Sequence, residues 1–482
     1  MKKLIFFLIL ISVLESCGGS KKESASDNDN TNQTEQPSTN EEGKGCNISK
    51  DEFKKAKIFE PLSEAELPSS VSLLEYAPER KSQGRQGSCV GWSSSYAART
   101  ILQAATFGDD PNQIAFSPSF VYNQIRVAGC DRGSYINDAM ELLTKMGDIP
   151  LSEFGYDESV CSELPDNRLK LKAKDYRILG YNRLTTGQTF DINYEAMKQN
   201  LAQGAPVVVA LPVGGSFESM FGKETWKPNA YDYEQLQIYK ASYGGTFGGH
   251  AMCVIGYDDQ KGVQIMNSWG KEFGKDGVFW MSEKDFKAFC MEAYGLFPFP
   301  REKKETKGLD FSAEIGFKIN KSNDWINLNY QQGYTFESSS KVPKKTKFKV
   351  SVKNDMACYI YVIGQETDGS SYILFPYTKD HSPYCGITGT RIFPSDHSLM
   401  VDELGSKDIM CVILSKTELD INAINDFVNI NRNGTYESRV RKALGKELIP
   451  LEYLKYQTGD KISVQVKDTP SNAIPFFIEI NK

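Results

Sequence analysis

The chain has 482 residues, 40% of them hydrophobic, enough to bury the cores of two domains of ordinary size. Its formal net charge of −6 gives no reason to expect nucleic acid as a partner. No internal repeat is visible and neither a CxxC nor an HExxH pattern occurs, so no metal site and no cofactor is expected.

Met1-Lys2-Lys3 is followed by Leu4 to Leu14, apolar except for Ser12. This is a charged n-region and a short h-region, too short to cross a bilayer comfortably as a mature helix. The stretch closes on Leu14-Glu15-Ser16-Cys17 and resembles a bacterial lipoprotein signal. The resemblance implies a signal peptide over residues 1–16, removed before Cys17, and a lipid on that cysteine. An ordinary secretory signal with a chance cysteine is the alternative, and both readings export the chain to a setting where disulfides can form. Gly18 to Gly45 holds no aromatic residue and no Val, Ile or Leu, and its three Lys against six Asp and Glu give −3. Such a composition cannot bury enough to fold, so residues 17–50 read as a lipid-anchored, disordered tether. Gly18 follows the anchor where an aspartate would argue for inner-membrane retention, which favours, by analogy, the outer membrane, on its periplasmic side or at the cell surface.

The run Lys81 to Trp92 is a Gly-rich turn that becomes a helix at Cys89. Gly84 and Gly87 allow backbone angles that other residues avoid, Ser88 is a good N-cap type, and Cys89 to Ala104 reads as helix. A thiol at a helix N-terminus faces unpaired N–H groups and the positive end of the dipole, both of which favour thiolate. Gln83, six residues earlier, carries a side-chain donor that a turn can bring beside the sulfur. With the Cys89 N–H it could hold the oxyanion of an attacked carbonyl. Further helices read at Pro118–Arg126, Tyr135–Lys145 and Ile192–Ala202, and strands at Pro206–Val213, Ala251–Tyr257, Gly262–Asn267 and Gly277–Met281. A short capped helix from Ser282 and a strand over Ala293–Phe299 close the region. Residues 51–300 therefore read as an α+β domain in which a helical lobe and a β lobe enclose a cleft.

A thiolate needs a base, and of the three histidines only His250 precedes residue 300. It stands in Gly248-Gly249-His250-Ala251-Met252-Cys253, an apolar run entered through glycines, as a buried strand is. Asn267 comes seventeen residues later, where a neighbouring strand could set its amide oxygen against the imidazole and fix the ring.

These pieces resemble the papain-like cysteine peptidases: Gln83 with Gly87-Ser88-Cys89, then Gly249-His250-Ala251 with Gly256-Tyr257, then Asn267-Ser268-Trp269-Gly270, in that order. Leu67-Pro68, Ser117-Pro118 and Gly129-Cys130 with Gly133 extend the likeness over roughly residues 65–300. The resemblance implies a two-lobed fold and hydrolysis of peptide or protein substrates. It also implies a Cys89–His250–Asn267 triad, Gln83 as oxyanion donor, Trp269 shielding the His–Asn bond, and Gly133 pairing with bound peptide. There are departures. Gln86 stands where the family signature has a cysteine, Val90 where it has an aromatic, and Arg132 where a glycine is usual. His250 lies 161 residues after Cys89, so an insertion is expected within Gly214–Thr246. Cys130 lacks its usual family partner and Cys161 falls where the family often has a bridged cysteine, which implies a Cys130–Cys161 disulfide. No long helical pro-segment is present, although Lys50 to Leu67 could lie over the enzyme.

Residues 301–335 are polar and read as a linker. From 336 to 482 a β-rich accessory domain is expected. Phe348, Val350 and Val352 alternate, Cys358 to Ile363 is a strand, Asp368-Gly369 a turn, and Lys416–Val428 and Tyr436–Leu444 helices. His381 and His397 have no evident partners there. Two other functions fit parts of the pattern: another Cys–His acyl-transfer enzyme, and a catalytically inactive surface binder on the same scaffold. The first usually completes its triad with Asp or a second His, against which Asn267 and Gln83 speak.

Overall fold

The strand Gly248–Asp258 is buried along nearly its whole length, and a sheet of eight strands is assembled around it. Apolar side chains on both faces of such a strand need cover on both sides. The computed structural model describes residues 42–63, 67–186, 190–299, 311–320, 322, 324–395 and 397–482. The expected signal peptide, Cys17 and the expected tether up to residue 41 lie outside these residues.

In the sheet, Val207–Val213 pairs with Gly248–Asp258 antiparallel, Ala210 facing Ala251. Gly262–Met266 flanks the other side, Cys253 facing Met266. Val278–Met281 and Thr225–Trp226 continue one way, and Glu292–Leu296 and Tyr181–Arg183 the other. The helical lobe is led by a continuous helical segment, Cys89–Gly91, Trp92–Arg99 and Thr100–Phe107, whose middle part is a π-helix. The Ser93 and Ser94 hydroxyls both donate to Val90 O, at 3.2 and 2.6 Å. Such back-bonding competes with the regular ladder, consistent with widening here. The segment stops at Gly108, which takes φ 74°. Ile136–Lys145 buries the expected face, Ile136, Ala139, Met140 and Leu143. Cys130 and Cys161 are joined by a disulfide.

The second domain is a β-sandwich with helices on one outer face. A six-stranded and a seven-stranded sheet bury their inner faces together, Ile315, Val350, Val352 and Val464 meeting Ile360, Val362, Val412 and Phe476. The helices Ile421–Ile430 and Tyr436–Leu444 cover the outside of the seven-stranded sheet over Tyr361, Ile363, Cys411 and Ile413. Burial on both faces explains why Cys358–Gln365 reads as a continuous apolar run, whereas Lys347–Asn354, at its N-terminal end, alternates.

Two boundaries differ from the sequence reading. The expected linker 301–335 contributes strands Phe311–Ile319 and Leu328–Gln332, so the sandwich begins at Phe311. Their polar positions are sheet faces turned to water, which composition alone cannot separate from a linker. The expected tether 17–50 ends earlier, because residues 42–49 are bonded into the first domain. His381 also has a partner: its Nδ1 lies 3.0 Å from Thr378 Oγ1, and both it and His397 pack edge-on against Tyr377.

Residues 57–63 join the two domains. Ile58 N–H donates to Asp380 O and Ser382 N–H to Ile58 O, both at 2.8 Å. Ser63 N–H donates to Thr390 O at 2.8 Å, and Arg391 Nε donates to Glu60 O at 3.0 Å. Phe59 packs between Phe297 of the first domain and Tyr384 of the second.

Candidate active site

Cys89 opens its helix immediately after a turn in which Gly84 takes φ 59°. Gly87 serves differently: its φ is ordinary, but an added Cβ would meet Asp131 O at 2.9 Å. The Ser88 hydroxyl does not cap the helix as expected. It lies 2.8 Å from Tyr156 OH, and the Ser88 backbone (φ −102°, ψ 17°) is not in the extended form that aims a cap at the helix N–H groups. Tyr156 OH in turn donates to Gln83 O at 2.7 Å, which ties the turn to the helical lobe.

The sulfur of Cys89 sits against the central strand, accepting the N–H of Ala251 at 3.4 Å. Ala251 is the residue after His250, so the sulfur of the helical lobe meets the strand that carries the imidazole. His250 Nε2 is 2.7 Å from Asn267 Oδ1, while Nδ1 has no hydrogen-bond partner among the described residues. Asn267 is held by its own N–H, which donates to Gly277 O at 3.0 Å just past the end of Gly262–Met266. The Trp269 indole lies 4.8 Å from the imidazole, centroid to centroid. Behind it Phe217 is the hub of an aromatic cluster with Trp226, Trp269, Phe273 and Phe279. Phe217 belongs to the stretch expected to hold an insertion. That stretch is ordered through Asp232, which caps the helix Ala230–Ser242 with Asn229 and accepts from Ser216 N–H at 3.0 Å.

Gln83 is fully buried and wired at both ends. Its Oε1 accepts from Ser268 Oγ at 2.6 Å, and its Nε2 donates to Gln86 O at 2.8 Å and to Gly43 O at 3.0 Å. The backbone joins the same two segments, Gln83 N–H donating to Ser268 O at 2.8 Å. Ser268 and Tyr156 were not singled out by sequence reasoning. Ser268 lies inside the Asn-Ser-Trp motif, so its signal was present; Tyr156 carried none.

The expected thiolate is not what this arrangement favours. Burial pushes the Cys89 thiol up to about 11, outweighing the N–H groups of Ala251, Gly45, Val90 and Cys89 that act to lower it. Burial also carries His250 down to about 4, the Asn267 bond opposing it and Lys44 adding to it. The pair therefore rests as neutral thiol and neutral imidazole. Residues 43–46 lie against the site and add to that burial: Gly43 O accepts from Gln83 Nε2 and Trp269 Nε1, and Cys46 N–H donates to Gly249 O. Gly133, at φ 68°, lies close against that segment, since a Cβ there would meet Gly45 O at 2.1 Å. The pairing atoms belong to the next residue, Ser134, whose N–H donates to Gly45 O and whose O accepts from Asn47 N–H, both at 2.9 Å. Gly133 O is already taken by Val127 N–H.

Beneath Cys46 lies Glu292, also missed in the sequence because its strand reads as apolar. Its carboxylate accepts from Ser49 N–H at 3.2 Å and from Tyr294 OH at 3.1 Å. Burial raises its pKa to about 8, against those two bonds. A carboxyl held above its unfolded value contributes stability that is complete below the ordinary carboxylate range and is lost as pH rises through about 8. Denaturant melts between pH 5 and pH 8 are accordingly expected to show stability falling with pH in the native chain and a flatter profile for Glu292→Gln. Equal slopes would mean that Glu292 is not held protonated.

Residues 68–298 match the papain family cysteine protease profile. An uncharacterized peptidase C1-like protein of Acanthamoeba polyphaga mimivirus is 27% identical over 238 residues, 47% of this chain and 69% of that protein. Cathepsin B-like CP3 of Giardia intestinalis is 28% identical over 233 residues, 45% of this chain and 70% of that protein. Among solved structures, xylellain, a cysteine protease from Xylella fastidiosa, superposes with a TM-score of 0.42 at 23% identity, over 54% of this chain and 96% of that one. The domain that carries Cys89, His250 and Asn267 is a papain family cysteine protease domain.

Proposed function

We propose that this chain is an exported thiol peptidase that hydrolyses peptide bonds with Cys89 as nucleophile, His250 as general base and acid, Asn267 orienting the ring, and Gln83 with the Cys89 N–H holding the oxyanion. One observation carries the reading: the Nδ1 of His250 is left without a partner while Nε2 is held at 2.7 Å by Asn267, and Cys89 Sγ lies against the adjoining Ala251 N–H. In the reaction Nδ1 takes the thiol proton as the Sγ–C bond forms, and the carbonyl oxygen becomes an oxyanion. The tetrahedral adduct collapses, the C–N bond breaks, and the amine leaves with the proton from His250. Water then gives a proton to His250 and its oxygen to the thioester carbon, releasing the acid and restoring the thiol. The amide at position 267 favours this reading over acyl-transfer enzymes that complete the set with a carboxylate.

The substrate is read as a peptide or protein, and the Met1 to Cys17 pattern supports a lipid anchor on Cys17, by preference in the outer membrane. The catalytic reading is tested with a peptidyl epoxide that alkylates active thiols, followed by mass mapping. Label is expected on Cys89 and not on the other thiols, and it is expected to disappear in His250→Ala. Equal labelling of native and His250→Ala chains would favour the surface-binder reading.

A further inference from the structure

Resting on the export reading, we infer that Cys358 and Cys385 close a second disulfide, across two neighbouring strands, and that this bridge pins the segment through which the C-terminal sandwich grips residues 57–63.

Three cysteines lie in residues 336–482, and the strand register separates them. Tyr384–Cys385 is a two-residue strand paired antiparallel with the start of Cys358–Gln365, Cys358 directly facing Cys385. Directly opposed residues of an antiparallel pair turn their side chains to the same face. Both cysteines accordingly belong to the inner core of the sandwich, with Ile360 and Val362. Ile360 N–H donates to Pro383 O at 2.8 Å. Cys358 and Cys385 stand two steps along that ladder, at a position where opposed Cα atoms are about 5.5 Å apart. A disulfide usually spans roughly 4.4–6.8 Å between Cα atoms. Cys411 serves as the internal control. It faces Ile363 and is buried on the outer face of the sheet, under the helices, away from the other two.

Cys358 and Cys385 are free thiols in the structure, and burial pushes both thiols up. A thiol held protonated is a slow nucleophile. The bridge is therefore assigned to the folding chain, before the core closes, in a setting where disulfides persist. A small-molecule disulfide such as oxidised glutathione serves as oxidant. The Cys385 thiolate attacks one of its sulfurs, the S–S bond breaks, and one glutathione leaves as thiol. The Cys358 thiolate then attacks the Cys385 sulfur and displaces the second glutathione. Two protein thiols give up two protons and two electrons, and the oxidant takes them to become two thiols.

The position gives the bridge a consequence. Cys385 O accepts from Asn354 Nδ2 at 3.2 Å, and Asn354 Oδ1 accepts from Arg391 Nη1 at 2.8 Å. The same guanidinium donates to Glu60 O. Tyr384 packs edge-on against Phe59 and Phe297, and Ser382 N–H donates to Ile58 O. Yet Tyr384–Cys385 is short and pairs only with Cys358–Gln365 among the described residues. Cys358–Gln365 is itself paired with Lys407–Ser415 from Tyr359 to Gln365. A covalent tie to that strand fixes the short one, and closing the loop 358–385 removes freedom from the unfolded chain.

For the test, the full-length chain is refolded with reduced and oxidised glutathione, blocked with N-ethylmaleimide in denaturant and cut with trypsin. Cleavage after Lys353, Lys379 and Arg391 places the two cysteines on separate peptides, 354–379 and 380–391. These are expected to be linked, with Cys411 carrying maleimide. Maleimide on both Cys358 and Cys385, in a sample where Cys130–Cys161 has closed, would overturn the bridge. The pinning is read by a cycle of native and Cys385→Ala chains, each with and without reductant, which cancels the contributions of Cys130–Cys161 and of the lost side chain. Reductant is expected to lower the thermal midpoint of the native chain by about 5 °C more than that of the variant. It is also expected to speed hydrogen exchange at the Ile58 and Ser382 amides in the native chain alone. A linked pair with equal responses in both chains would overturn the pinning. Linkage on refolding, with free thiols in the chain produced in a bacterium with residues 1–16 in place, would retain the pair and remove the export reading.

Discussion

Replacing Cys89 by alanine is expected to lower kcat/KM for peptide hydrolysis by about 10⁵- to 10⁶-fold, and His250→Ala is expected to fall nearly as far. The two groups act as one unit: without the sulfur no acyl-enzyme forms, and without the imidazole neither the thiol proton nor the leaving amine is served. Their losses are therefore not additive, and the double variant is expected to be hardly worse than either single one. The measurement is hydrolysis of a fluorogenic peptide by the full-length chains. Burial holds the thiol at about 11 and the imidazole at about 4 in this arrangement. Water entering the groove should bring the two values together and lower the cost of passing the proton from thiol to imidazole. A Cys89→Ala chain that retained a tenth of the hydrolysis would end the mechanism.

Gln83→Ala is expected to reduce kcat by about 10²- to 10³-fold with little change in KM, the loss typical of removing one oxyanion donor. Gln83 also bonds Ser268 and Gln86, so a structural role has to be told apart from a chemical one. Alkylation separates them. Iodoacetamide reacts at a saturated carbon and creates no oxyanion, so a catalytic donor predicts normal alkylation of Cys89 with slow hydrolysis. If both rates fell together, Gln83 would be holding the turn before Cys89 rather than the reacting oxygen.

Much of the candidate site was legible before any coordinates. Cys89 after a glycine turn, His250 within an apolar run and Asn267 at the end of the next strand are each announced by residues within a few positions. The structure sets Asn267 Oδ1 against His250 as that reading expected. The helix after Cys89 and the strands Val207–Val213 and Gly248–Asp258 follow from apolar patterning, and their ends fall within a few residues of the expected ones. Other parts were misread for specific reasons. The polar strands Phe311–Ile319 and Leu328–Gln332 resemble linker because one face of each meets water. Ser88 has the chemistry of a cap, but the nearby Tyr156 hydroxyl claims it.

The sequence by itself determined which side chains can do chemistry and which local elements carry them, since turns and short periodic patterns are properties of neighbouring residues. Only the tertiary structure decided the protonation of the resting pair and the packing of residues 43–46 against the site. Desolvation belongs to a finished enclosure, so no local pattern shows that the Cys89 thiol is raised. Gly43 and Gly45 look like free linker until the backbone of residues 86 and 87 is brought against them, because a glycine chosen for flexibility and one chosen for close contact are the same letter.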